Sequence, residues 1–76
     1  MDNTLKELIQ VAAVAVQAVA DLGRQSHTAV LQEVCHEMDR QNKKWGPQTH
    51  DAYIWLGILG EEFGEACQAV NQQCSR

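Results

Sequence analysis

Apolar residues recur at helical spacing in three stretches of the chain, and nowhere do they alternate as in a strand, so the pattern predicts an all-α protein. The first helix is expected over about 4–22. Its later part, Val11 to Ala20, is apolar on nearly every face, interrupted only by Gln17. A helix of that kind needs neighbours all round, more than one small chain supplies, and this predicts an oligomer. The second helix is expected over about 28–44, with Ser26 or Thr28 as its cap and Val30, Leu31, Val34, Cys35 and Met38 as its core stripe. Lys43 and Lys44 suit its C-terminal end, where the backbone dipole favours cations, and Trp45-Gly46-Pro47 stops it. The third helix is expected over about 50–73, starting at His50 or Asp51, with a stripe of Trp55, Leu59, Ala66, Ala69 and Val70. Gly57, Gly60 and Gly64 recur on another of its faces. They lower helix propensity, and close approach of a neighbouring backbone is the expected compensation.

Seventy-six residues make a single domain, 1–76, that is marginal as a lone monomer. Three cysteines are an odd number without zinc-ligand pairing, which argues against a disulfide scaffold, and a reducing, cytoplasmic setting is expected because no leader is read. No segment reads as a secretory leader, and the longest apolar run is too short to span a bilayer. Net charge is −4, from ten acidic and six basic residues, the wrong sign for coating a nucleic-acid polymer. One small basic and aromatic spot, Lys43-Lys44-Trp45, suits a small phosphorylated ligand better.

The acidic residues matter most on the third helix. Positions 55, 58, 59, 62, 65, 66 and 69 share one face at 3.6-residue spacing, so Glu62 and Glu65 fall inside the expected apolar stripe. Two like charges in such a seam cost several kcal/mol unless a cation lies between them. A hard ion such as Mg²⁺, which takes a few carboxylates plus water and phosphate oxygens, is the natural partner. The alternative is a narrower stripe, with both glutamates solvated. Glu61 beside them either orients the pair or faces solvent.

Three segments together carry a resemblance. Glu33 to Gln41, then Lys44-Trp45-Gly46-Pro47-Gln48-Thr49-His50, then Trp55 to Ala66 with Glu61-Glu62 and Glu65, resemble the MazG-like nucleotide pyrophosphohydrolases of the small phage and integron-associated kind. The likeness covers about residues 28–72 and rests on KWG joined to EExxE. It implies an intertwined oligomeric bundle of helices, three per chain, with Mg²⁺ held by carboxylates. It also implies hydrolysis of a nucleoside triphosphate to the monophosphate and pyrophosphate, water attacking phosphorus while the metal offsets the phosphate charge. Nucleotide house-cleaning is the role it suggests.

By the same resemblance, Glu62 and Glu65 are metal ligands and Glu61 assists them. Lys44 contacts phosphate, Trp45 lies near the base, and Gln41, Gln48 and His50 are further substrate contacts. Lys44 has a simpler role in complementing the helix dipole, Trp45 in covering a hydrophobic edge, and Gln48 and His50 in starting the third helix. The family's last helix, carrying ExxD, is matched at the front by Leu5-Lys6-Glu7-Leu8-Ile9-Gln10, so the chain reads as circularly permuted. Glu7 takes the first ligand position. Gln10 stands where aspartate is expected, and its amide oxygen ligates without a charge. Glu7 has a second reading, as the partner of Thr4 in a capping box. Helices of 20 residues are about 30 Å long, whereas the turn from Gly23 to His27 reaches at most about 18 Å. The first helix is therefore expected to pack on the third helix of another subunit, in a homodimer or homotetramer.

Overall fold

A computed structural model describes residues 3–74, which form three helices: α1 (Asn3–Gly23), α2 (His27–Trp45) and α3 (Ala52–Cys74). Among the described residues there is no strand. None of their helices is long and apolar enough to cross a membrane. The chain divides into two compact units, Met1–Gly46 and Pro47–Arg76.

The first unit is a helical hairpin whose turn is closed by backbone bonds. Arg24 takes the left-handed conformation, with φ 53°. This lets Gln25 N donate to Ala20 O (3.0 Å) and Arg24 N to Asp21 O (3.4 Å), the paired bonds of a Schellman cap. Gly23, expected to open the turn, is instead the last residue of α1, and a side-chain-bearing arginine holds the left-handed position. Ser26, extended at φ −72° and ψ 157°, then starts α2, its Oγ accepting from Ala29 N at 3.1 Å. Directly at this turn lie the two residues removed from solvent, Ala20 at 8% and Val30 at 1% exposure. Farther from it, Leu31, Val34, Cys35 and Met38 are all exposed. The expected α2 stripe and the reading of Cys35 as core are thus corrected. Of that stripe, Val30 is the one residue that the hairpin buries.

At its other end α2 stops at Gly46, whose φ of 77° is a positive value that glycine adopts without strain. Its N–H donates to Asn42 O at 2.8 Å, satisfying one of the last carbonyls of the helix. Lys43 and Lys44 stand in the final turn as expected.

The second unit is α3 with the segment leading into it. Asp51 is the cap: its Oδ1 accepts from Ile54 N at 3.0 Å, and its backbone carbonyl accepts from Trp55 N at 3.1 Å. Among the residues of α3 whose burial is described, only Ile58 and Leu59 are half-buried, while Trp55, Ala66, Ala69 and Val70 are exposed. A Cβ placed on Gly57, Gly60 or Gly64 would meet nothing within 4 Å. The close backbone approach expected of these glycines is therefore not made within the second unit.

Candidate functional site

The residues singled out in the sequence divide between the two units. Gln41, Lys44 and Trp45, with Glu7 and Gln10, belong to the first; Gln48, His50, Glu61, Glu62 and Glu65 belong to the second.

In the first unit, positions 37, 40, 41 and 44 follow one another at helical spacing and share a side of α2. Arg40 grips Glu37 with two donors, Nε to Oε1 at 2.8 Å and Nη2 to Oε2 at 2.6 Å. Gln41 Nε2 donates to the same Oε2 at 2.9 Å. The hydrogen bond from Arg40, and then that from Gln41, hold the pKa of the Glu37 carboxyl down at about 2. The Gln41 amide is thereby anchored through its nitrogen. One turn on, the Lys44 ammonium lies 4.7 Å from the centroid of the Trp45 ring, a cation–π contact. Trp45 remains 59% exposed, so an indole face and an ammonium group stand together at the end of α2. Glu37 and Arg40 did not figure among the expected site residues. Their i, i+3 spacing with opposite charges was the available signal.

A second feature of this unit was not anticipated. Between α1 and α2 runs an open groove of about 370 Å³, lined by Ile9, Ala12, Ala13, Val16 and Leu31, with Gln17 and His27 as its polar members. Those two are joined across the hairpin, His27 Nε2 to Gln17 Oε1 at 3.1 Å. Glu7 and Gln10 lie on α1 and are exposed; α1 begins at Asn3, so Thr4 lies within its first turn.

In the second unit, His50 is half-buried between two partners. Its Nε2 lies 3.0 Å from Gln48 Oε1, and its ring meets Trp55 edge-on, with centroids 5.0 Å apart and planes at 73°. Gln48, His50 and Trp55 are thus linked to one another at the entry to α3. Glu61, Glu62 and Glu65 follow on the continuous helix, and all three are exposed. The second unit by itself does not form the buried seam expected around Glu62 and Glu65. Glu62 lies four and three residues beyond Ile58 and Leu59 and Glu65 seven beyond Ile58, so both share the side of Ile58. Among the described residues no three His, Cys, Asp or Glu side chains gather as a metal-binding group.

Comparison with known proteins adds no family. No family model matches the sequence, and no curated protein or solved structure matches it either. What the site can do therefore rests on its own residues: a pair of carboxylates one turn apart in the second unit, and an ammonium group beside an open indole in the first.

Proposed function

We propose that this chain is a subunit of a Mg²⁺-dependent nucleoside triphosphate pyrophosphohydrolase of the MazG-like kind, with a site completed by a second copy. The observation that carries this reading is the position of Glu62 and Glu65, one turn apart on an unbroken helix and on the side of its least exposed residues. Their oxygen donors suit a hard cation, and Mg²⁺ accepts one or two carboxylates when water and substrate phosphates supply the rest. Once bound, the ion would offset the charge of the phosphates. Glu61 would orient its neighbours. Lys44 would offer its ammonium to phosphate and Trp45 its open ring face to a base. Gln41, Gln48 and His50 would add polar contacts.

Two carboxylates are a sparse set, and Glu7 and Gln10 of α1 are the groups proposed to join them. This requires α1 of one copy to pack against α3 of another, in a dimer or tetramer. Pyrophosphate release from a panel of nucleoside triphosphates with Mg²⁺ is the test. Glu62→Gln is expected to lower turnover by about 100-fold or more. Wild-type chain that releases none from any of them sinks the proposal.

A second reading is favoured by the exposure of both glutamates and by Gln10 standing where an acid would serve better. In it the chain is a nucleotide-binding or purely structural helical oligomer without turnover. Mg²⁺-dependent nucleotide binding with no pyrophosphate released would select the binding form of that reading. No binding at all would leave the structural form.

A further inference from the structure

Three residues of α2 form a chain of contacts that ends beside Trp45. Arg40 donates to both carboxylate oxygens of Glu37, and Gln41 Nε2 donates to Glu37 Oε2. An ionised carboxylate only accepts, so it takes the nitrogen end of the amide and refuses the oxygen end. Glu37 is ionised at neutral pH, because its carboxyl titrates near 2. The orientation of Gln41 is thus dictated by its neighbour, and Oε1 is the end left to accept from another group.

Gln41 precedes Lys44 by three positions and Trp45 by four, spacings at which helix side chains are neighbours with Cβ atoms about 5–6 Å apart. The Lys44 ammonium lies over the indole, 4.7 Å from its centroid, so one ring face is taken. The other face is the one that a flat group can cover. A base stacked on it at about 3.5–4 Å brings its edge within reach of the Gln41 amide.

We propose that Glu37, clamped by Arg40, is a positioning residue that turns Gln41 so that Oε1 accepts an N–H from the edge of a base stacked on Trp45. This role rests on the nucleotide-binding reading of the site, and it divides such a ligand in two. A nucleobase carries an N–H on its pairing edge, and a chain of phosphates carries none. Gln41 serves the base, whereas Lys44 serves the phosphates. Glu37 touches neither part, and its charge opposes phosphate nearby. Removing it therefore acts with opposite signs on the two parts of the ligand.

Isothermal titration calorimetry with Mg²⁺ and two probes reads those signs. One probe is α,β-methylene-ATP, which keeps the base and resists cleavage between its first two phosphates; the other is inorganic tripolyphosphate. Glu37→Gln is expected to weaken the analogue about five- to tenfold, as loss of one well-placed hydrogen bond would. Tripolyphosphate is expected to bind that variant as well as before or more tightly. Gln41→Leu is expected to match the loss for the analogue, and the double variant to lose no more than either alone, since both changes remove one contact. Gln41→Leu keeps the Glu37–Arg40 pair, so it reads the base contact even where Glu37→Gln unwinds α2. Equal weakening of both probes by a Glu37→Gln chain that keeps its helicity, or an analogue affinity untouched by Gln41→Leu, overturns the proposal. A native chain that binds neither probe removes the nucleotide reading and this role with it. A native chain that releases pyrophosphate from ATP while both variants bind the analogue unchanged removes this role alone.

Discussion

The two units solve the same problem, how to start a helix after a turn, with different means. At the hairpin turn the backbone does most of the work: Gln25 and Arg24 close α1, Ser26 opens α2, and Ala20 and Val30 pack directly behind. Ahead of α3 the work falls to side chains: Gln48 holds His50, His50 meets the Trp55 edge, and Asp51 caps the first turn. The hairpin turn ends in a small core, whereas α3 has a secured start and no fully buried residue along its described length. A helix can thus be well specified locally and still depend on another surface to cover its apolar side.

Deleting side-chain volume should separate the two units most sharply. Val30→Ala is expected to cost about 2 kcal/mol, since the residue is fully enclosed. Tyr53→Ala on α3, where the ring is 87% exposed, should cost less than about 0.5 kcal/mol. Urea denaturation of both variants measures the contrast. A Tyr53 deletion as costly as that of Val30 would mean that α3 is covered by something outside the described chain.

The caps come next in size. Ser26→Ala and Asp51→Ala are each expected to cost about 1 kcal/mol, read from thermal unfolding by circular dichroism. Equal losses would show that both helix starts share one cooperative transition. Loss from one alone would show that the units melt separately.

At Arg24 the expected sign reverses. A left-handed residue bearing a side chain is strained by about 1 kcal/mol, so Arg24→Gly should stabilise the hairpin by somewhat less, because glycine also loosens the unfolded chain. A lower melting temperature for this variant would assign the arginine side chain a role that its strain conceals.

The smallest effect concerns pH. Glu37 has its folded pKa depressed to about 2 from the ordinary value of 4.5, so its contribution is present above 4.5 and is lost as pH falls toward 2. The group is fully exposed, and the loss of helicity in that window should be slight and weakened by salt. Glu37→Gln should flatten it, and an unchanged acid titration of that variant would assign the loss to other carboxylates.

Much of the fold was legible in the sequence because it follows local rules. The three helices fall within two residues of the ranges that periodicity predicts, Ser26 was a candidate cap, Asp51 a candidate start, and Trp45-Gly46-Pro47 a stop. Arg24 was not legible, since the glycine beside it is the residue that ordinarily takes a left-handed position. The α2 stripe was read too widely. Periodicity reports which side of a helix is apolar, and burial needs a neighbour that this hairpin supplies only at Val30. The same limit governs the candidate site. The spacing of Glu62 and Glu65 and the adjacency of Lys44 and Trp45 are local facts that the sequence states directly. Whether the two glutamates share a cation depends on what faces them, and no pattern of spacing within one chain encodes that.

Gly46 has a consequence for chemistry beyond the genetic code. A Cβ added there would meet no atom within 4 Å, so the obstacle to an L-residue is the backbone φ of 77° and not a lack of room. A D-alanine has the mirror-image preference and would occupy that backbone conformation at rest. At 76 residues the chain is within reach of total synthesis by ligated peptides. Such a protein would keep the native stop of α2 while its denatured form lost freedom, a stabilisation that none of the other nineteen encoded residues can supply at this joint.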